Sequence, residues 1–471
     1  ALALVPRDAA ERHCVLPIEF DERGRLVTLA VTEALDLDAI DEISCAIDSG
    51  IEIAAVTAKA ADITAAIDRY YDVALTIPDI LREIDTDTAG ILQVDCDKLA
   101  CGHPLNRLLD AILTKAVRRD AAAIHFEPDY GFVRVRFRVD GVLSQVLALH
   151  QSYWPGLAAR LTAMFGLSAA TSDRCSEASV SIALGTRRKT LHAARRATLQ
   201  GDDFVIGIAA ADQEAMPLDE LGLDNEALQR LRLMMARPHG AIVVAGPTGC
   251  GKTTTLFSML NYRRDESVSI VTLEQRLHCA MPSIRQAAHP QRHEYSEQDR
   301  LEALMRQDFD VLVMDELRDT QDASIALQAA SRGRQVYATV PAQSALHALS
   351  RLDEFGLKRS QIADNVVGFI GQRLLRKLCV HCRQAYAPEP YERKLMGSDE
   401  TEVQRLYREG ACERCHYSGY AGRIGIFEVI QVDEAIDEQL ECGSTVQDMR
   451  RAMSGAGGCD LADAAVQQVL A

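Results

Sequence analysis

The sequence has no apolar run approaching the length of a membrane-spanning helix, so no direct insertion into a bilayer is expected. It also lacks a surplus of cationic side chains. A net charge of −17 argues against broad non-specific binding to nucleic acid, which rests on Lys and Arg in excess. No secretory leader is recognisable, because Ala1-Leu-Ala-Leu-Val5 is too short for a leader core and has no basic flank. The first residue is Ala1 rather than methionine, which reads as a trimmed start. Most of the 13 cysteines stand singly, in segments that look cytosolic, where thiols stay reduced and buried. A cytoplasmic chain is the expectation.

What is present begins with size. The 471 residues are enough for about two to four domains, each with its own core. The chain is arranged around Gly246-Pro-Thr-Gly-Cys-Gly-Lys-Thr253. Two glycines separated by four residues and followed by Lys and Thr fit the phosphate-binding loop. The β-branched run Ala241–Ala245 before it reads as a buried strand, and Thr254–Leu260 after it reads as the start of a helix. In such a unit the glycines let backbone N–H groups curl around a phosphate, and the helix N-terminus adds partial positive charge. Gly246, Pro247, Thr248, Gly249, Cys250, Gly251, Lys252, Thr253 and Thr254 form the expected nucleotide-binding set. Lys252 is expected to reach the β- and γ-phosphates of ATP, and the Thr253 hydroxyl to hold Mg²⁺. A chance glycine-rich turn would not carry both flanks, so a nucleoside triphosphate is the expected ligand.

Taken in order, residues 1–75 read as a small α/β module. Strands are expected at Val15–Phe20, Arg25–Val31 and Ile51–Val56, and helices at Leu35–Asp48 and Ala58–Tyr71. Nothing there has catalytic spacing, which favours docking. Residues 76–101 weaken into an acidic linker. A second domain opens with the amphipathic helix Leu105–Arg119 and continues through Ile124–Pro128 and Val133–Val142. In the latter run Val133, Val135, Phe137 and Val139 alternate with Arg134, Arg136 and Arg138, as in a half-buried strand turning at Asp140-Gly141. The arginines suit a phosphate or an acidic neighbour, with a solvated strand face as the default. His125 beside Glu127 follows from alternation alone.

After the phosphate loop come Val268–Glu274, Asp310–Glu316 and Gln335–Val340, each a strand-like run parted from the next by helical sequence. Such alternation implies a mostly parallel sheet with ligands at the strand C-termini. Asp315-Glu316 is the expected second nucleotide motif, where carboxylates meet Mg²⁺ or orient water. Glu316 and, on the neighbouring strand, Glu274 are the candidate catalytic carboxylates. Farther on, Cys379-Val-His-Cys382 and Cys412-Glu-Arg-Cys415 are two Cys-x-x-Cys pairs separated by residues 383–411. Four thiolates so arranged suit tetrahedral Zn²⁺, with the long spacer looped out. Lys377, His381, Arg383 and Arg414 are expected to offset the thiolate charge. A redox-active Cys-x-x-Cys is the rival, against which the doubling of the motif counts.

Several segments together resemble the hexameric ATPases of type II secretion and type IV pilus assembly. They are Ile124–Pro128 with Arg136–Leu143, the loop Gly246–Thr253, Arg306–Asp310 running into Glu316–Asp319, Gln372–Cys379 and Gly419–Glu428. The acidic stretch before Leu105 and Leu406-Tyr-Arg408 lean toward the type II branch. The resemblance implies an α/β multi-domain chain with an N-terminal docking domain (1–75), a linker (76–101) and a PAS-like middle domain (102–215). A RecA-like ATPase core (216–376), a Cys₄ zinc subdomain (377–430) and a C-terminal helical segment (431–471) would follow. It further implies a homo-hexamer, peripheral to the inner membrane, docked on a membrane platform protein and powering pseudopilus assembly. Arg136, Arg138, Arg195 and Arg318 are the candidates for contact with phosphate.

The departures from the family pattern are several. Gln275, Arg276 and His278 replace the Asp-Pro and later acid after Glu274, Asp315 stands where the family has glycine, and Ala123-Ile-His125 replaces Asp-Ile-His. The family's two histidine positions read Arg332-Gly-Arg334 and Thr339-Val-Pro341-Ala-Gln343. Two family arginines align with Val180 and Gly207, and a third with Arg195. Arg196, Arg334 or an arginine of the Arg134–Arg138 strand are the available substitutes. Three readings follow: a working secretion or pilus-assembly ATPase, a nucleotide-binding ring subunit of weak turnover, and another RecA-like motor. The cysteine motif and the acidic charge count against the last.

Overall fold

The computed structural model describes residues 5, 10, 13–21, 26–32, 52–60, 62–63, 77, 80–81, 104–167, 175–184, 187–210, 215–274, 281, 283–288, 303–396, 405–444, 448–450 and 460–470. The helices expected at 35–48 and 58–71, most of the linker, and Gln275, Arg276 and His278 lie wholly or largely outside them. The chain divides into two compact units, Ala1–Asp212 and Gln213–Ala471.

In the first unit β1 (Leu16–Asp21), β2 (Leu26–Val31) and β3 (Glu52–Thr57) form a sheet in that order, the first pair antiparallel and the second parallel. All three fall on the runs where strands were expected. Val27, Leu29 and Val31 point into a small core of their own. The helix α1 (Pro104–Arg118) buries Leu105, Leu108, Leu109, Ile112, Leu113 and Ala116, whose three- and four-residue spacing makes one stripe. That stripe joins the apolar face of an antiparallel sheet of six strands, built from β4 (Ala123–Pro128), β5 (Phe132–Val139), β6 (Val142–His150), β7 (Cys175–Leu184), β8 (Arg187–Thr198) and β9 (Gly201–Ala210). Their order is β6-β5-β4-β9-β8-β7. On β5, Val133, Val135 and Phe137 are buried and the arginines take the other face. Asp140 and Gly141, at φ 48° and 84°, make the tight turn into β6. Trp154, which opens α2 (Trp154–Met164), lies 6.0 Å from Phe126 and 5.9 Å from Phe204, ring to ring. Ile77 and Ile80, at the start of the expected linker, are buried in this same core.

The second unit begins with α3 (Asn225–Ala236), capped by the Asp224 carboxylate on the Ala227 N–H. Then come β10 (Gly240–Ala245), α4 (Lys252–Arg263), β11 (Ile270–Glu274), β12 (Arg285–Ala288), β13 (Val311–Met314), α5 (Thr320–Ser331), β14 (Gln335–Val340), α6 (Ala345–Glu354), α7 (Arg359–Asn365) and β15 (Val366–Leu378). These strands and the later β18 (Tyr420–Gln431) form a seven-stranded sheet of order β12-β11-β13-β14-β10-β15-β18, parallel but for the last pairing. Every residue of β10 is buried, as a central strand covered on both faces requires. Between β15 and β18 lie the short pair β16 (Gln384–Tyr386) and β17 (Leu406–Arg408), with α8 (Pro390–Leu395) between them. The chain closes with α9 (Glu434–Glu441) and α10 (Leu461–Leu470). Among the described residues no helix is long and apolar enough to cross a membrane.

Candidate functional site

The parallel strands bring their C-terminal ends to one edge of the sheet, and the glycine-rich loop leaves β10 there. Gly249 and Gly251 sit at φ 79° and 92°, in the left-handed region that favours glycine, and Gly251 caps α4. Pro247, Thr248 and Gly249 are exposed at the crest, whereas Cys250 and Lys252 are buried beneath it. The Lys252 side chain reaches back over the loop. Its Nζ donates to the carbonyl oxygens of Gly246 at 2.9 Å and Pro247 at 3.2 Å, so the ammonium is tied to the start of the loop. Burial pushes the Cys250 thiol up, and the pull of Lys252 only partly opposes this. That thiol is a packing group, not a thiolate. Thr254 begins the exposed side of α4 and Thr253 is half-buried.

The two nucleotide motifs meet. The Thr253 hydroxyl donates to the Asp315 carboxylate at 3.3 Å. Asp315 and Glu316 stand just past the end of β13, which stops at Met314 rather than running through both carboxylates. Thr339, on β14, donates its hydroxyl to the Asp315 carbonyl oxygen, and the Leu317 N–H donates to the Thr339 carbonyl oxygen. Glu274 closes β11 as expected, yet its carboxylate accepts hydrogen bonds from the Thr272 hydroxyl at 2.6 Å and the Gln286 amide at 2.9 Å. Only 1% of it is exposed, so the carboxyl is held within the sheet by these two donors. Gln286 comes from β12, a strand too short to stand out in the sequence.

The arginine candidates are engaged elsewhere. Arg318 donates through Nε to the buried Asp322 at 2.9 Å, across the first turn of α5. In the first unit Arg136 pairs with Glu127, and Arg138 donates to the Gly141 carbonyl oxygen at 3.0 Å. Arg195 is held by Asp202 at 2.8 Å through Nε, and Arg196 by Asp203 at 2.8 Å. Arg134 pairs with Asp129 at 3.0 Å, so the Arg134–Arg138 face carries two ion pairs and a bond to a backbone carbonyl rather than solvent alone. His125 lies 3.7 Å from Glu127, but burial and then Arg138 hold its pKa below the ordinary value, so the imidazole is neutral near pH 7.

One expectation is corrected. Arg334 precedes β14, whose first residue pairs with Gly240, the first of β10. It is thus a strand's length, roughly 20 Å, from the loop at the other end. Its guanidinium lies over the Phe309 ring at 5.3 Å and near Asp308 at 3.7 Å. Arg334 is no substitute for a phosphate-binding cation of this site. Pro341, unlike Arg332–Arg334, lies at the site's edge of the sheet, following Val340, whose carbonyl oxygen accepts from the Gly246 N–H at 3.3 Å.

The second constellation is assembled by β15 and β18, which project as an antiparallel ribbon toward the cysteines. Pairing of β16 with β17 brings the two knuckles together, so the long spacer does not part them. All four Sγ atoms of Cys379, Cys382, Cys412 and Cys415 lie within 4.8 Å of one another, with 3.9, 3.7 and 3.6 Å among the closer pairs. A tetrahedron of sulfurs about 2.3 Å from zinc has edges of about 3.8 Å, so the donor set fits that ion. The Gly419 N–H donates to the Cys415 sulfur at 3.3 Å, as a thiolate acceptor would want. Burial and the neighbouring sulfurs push Cys382 up to about 12. Against its own burial, hydrogen bonds at Cys412 and Gly419 bring Cys415 down to about 6. Of the nearby cations expected to balance these charges, Arg383 lies over the Tyr407 ring at 4.3 Å and Arg414 against His381 at 3.0 Å.

Comparison with known proteins places these features. The family described as Type II/IV secretion system protein matches residues 99–471, and an MshEN domain matches residues 1–77. The Type II secretion system protein E of Dickeya dadantii is 32% identical over 370 residues, 78% of this chain and 74% of that one. The Type II secretion system ATPase E of Vibrio cholerae is 32% identical, over 74% of this chain and 69% of its own length. The Type IV pilus assembly ATPase PilB of Thermus thermophilus is 28% identical over 95% of this chain, which spans 50% of that relative. Among solved structures the fold resembles the pilus retraction motor PilT with bound ADP, at TM-score 0.50 and 21% identity over 73% of this chain and 89% of that one. It also resembles the Yersinia pseudotuberculosis ATPase DotB, at TM-score 0.54 and 18% identity over 77% and 88%.

Proposed function

The chain belongs to the Type II/IV secretion system protein family, and from that premise we propose that it is the cytoplasmic ATP-binding motor of a type II secretion system, a homo-hexamer that couples ATP hydrolysis to pseudopilus assembly. The observation that carries this reading is the junction of Thr253 with Asp315 at the end of a loop whose Gly246 and Pro247 carbonyls hold the ammonium of Lys252. It joins the start of α4 to the end of β13, where a nucleotide's phosphates and their cation are handled in proteins of this architecture. The backbone N–H groups of residues 248–253 would cradle the β-phosphate, Lys252 would turn to the β- and γ-oxygens, and Thr253 with Asp315 would hold Mg²⁺. That ion supplies charge neutralisation at the transferring phosphoryl group. Glu316 would orient the attacking water.

Zn²⁺ fits Cys379, Cys382, Cys412 and Cys415 as a structural ion. The N-terminal residues 1–75 would dock the ring on an inner-membrane platform protein, which makes the assembly peripheral to that membrane. The domain limits at 75, 101, 215, 376 and 430 go with this proposal. A second reading, a ring subunit of slow turnover, is favoured by Pro341 and Gln343 at the site's edge and by the internal ion pairs of Arg195 and Arg318. Phosphate release by the assembled protein, beside a Lys252→Ala control, tests the enzyme; turnover equal to that control would leave only the ring subunit.

A further inference from the structure

Gln372 lies in the segment Gln372–Leu378, to which neither the nucleotide site nor the cysteine cluster assigns a task. It sits on β15, one residue past Gly371, which pairs with Ala245 at the end of β10. Gln372 is therefore level with the first residue of the phosphate loop, and it is 2% exposed. Three contacts converge on it. Its Oε1 accepts a hydrogen bond from the Thr255 hydroxyl at 2.8 Å, and Thr255 is wholly buried in the first turn of α4. Its carbonyl oxygen stands 2.8 Å from where a Cβ on Gly246 would be. Its Nε2 stands 2.8 Å from where a Cβ on Gly251 would be. The two glycines that begin and end the loop are thus glycines partly because Gln372 fills the space their side chains would take. The next residue, Arg373, donates to the Gln343 carbonyl oxygen in the loop after β14.

We propose that Gln372 is a positioning residue for nucleotide: it fixes the separation of Gly246 and Gly251, and through Thr255 the first turn of α4, so that the loop's N–H groups converge on one phosphate. It contacts the loop from below and need not touch the nucleotide. The proposal rests on the reading of Gly246–Thr253 as an ATP site.

The full chain is titrated with Mg²⁺-ATP as wild type, Gln372→Leu, Thr255→Val, the double variant and Lys252→Ala, and each is melted without nucleotide. Gln372→Leu and Thr255→Val are each expected to weaken ATP about fivefold to thirtyfold, the range for one buried hydrogen bond broken. The double variant is expected to be no weaker than the worse single one, because replacing both partners strands neither. Lower melting temperatures with unchanged ATP affinity would make Gln372 a packing residue only and overturn the proposal, as would additive losses in the double variant. If Gln372→Leu does not fold, Thr255→Val alone decides, since unchanged affinity there is equally fatal. Wild type binding ATP no better than Lys252→Ala would instead remove the site reading on which the proposal stands.

Discussion

At the residue scale the backbone of Gly246–Thr253 was legible, because the glycine spacing records where the left-handed conformations of Gly249 and Gly251 fall and the flanking runs record β10 and α4. The carboxylates were legible only in part. Asp315 and Glu316 come out at a strand end, but which of the two meets Thr253 is decided by a hydrogen bond that no spacing encodes. Glu316→Gln is expected to leave ATP affinity within about twofold while phosphate release falls about 10²- to 10⁴-fold, the range for a positioned general base. Equal losses in both would instead make Glu316 a binding residue. The arginines were the least legible. A sequence shows that Arg195 and Arg318 exist, whereas Asp202 and Asp322, which engage them, become partners only through a hairpin and a helix turn. Arg334 was misplaced for the same reason, since the six residues of β14 part it from the loop by roughly 20 Å and the end of the strand matters more than the motif.

At the scale of elements, alternation located β5 and the three-and-four spacing located α1, since both faces of each see different surroundings. β12 and β16 escaped notice because strands of three or four residues have no period to show. The cysteine ribbon is the clearest test of element-level reasoning. Cys412→Ser is expected to lose the ion and to expose residues 379–419 to proteolysis, while β10–β14 stay protected, because metal affinity here is folding energy. A variant that keeps stoichiometric zinc by mass spectrometry would refute this. Glu428, on β18, offers a pH test. Burial holds its carboxyl above the ordinary range, although it accepts the Ala345 N–H at 2.9 Å at the start of α6. A carboxyl with a raised folded-state pKa binds its proton more tightly when folded. Stability therefore falls as pH rises from the ordinary glutamate range, about 4.3, through that raised value, and stays lower above it. Glu428→Gln is expected to melt above wild type at about pH 8, with the gap closing at about pH 4. A gap that is constant with pH would place the effect in packing instead.

At the scale of the whole molecule, the alternation of strands and helices announced the parallel sheet, but the order of its strands did not follow from any one of them. Its seventh strand, β18, arrives from beyond the cysteine cluster, so the ribbon that carries that cluster also finishes the sheet that carries the loop. Assembly is a whole-molecule expectation too. With ATP analogue present, light scattering is expected to give the mass of six chains, and a strict monomer at every concentration would oppose the ring. Removing residues 1–77 is expected to abolish recruitment to the membrane and spare nucleotide binding, since β1–β3 have their own small core. The central proposal is that this chain binds ATP at Gly246–Thr253 and hydrolyses it there. The direct measurement is Mg²⁺-ATP affinity and steady-state phosphate release on the same assembled sample, for wild type and Lys252→Ala. Wild type is expected to bind at least about tenfold more tightly and to release phosphate faster than the variant; indistinguishable affinities would contradict the proposal.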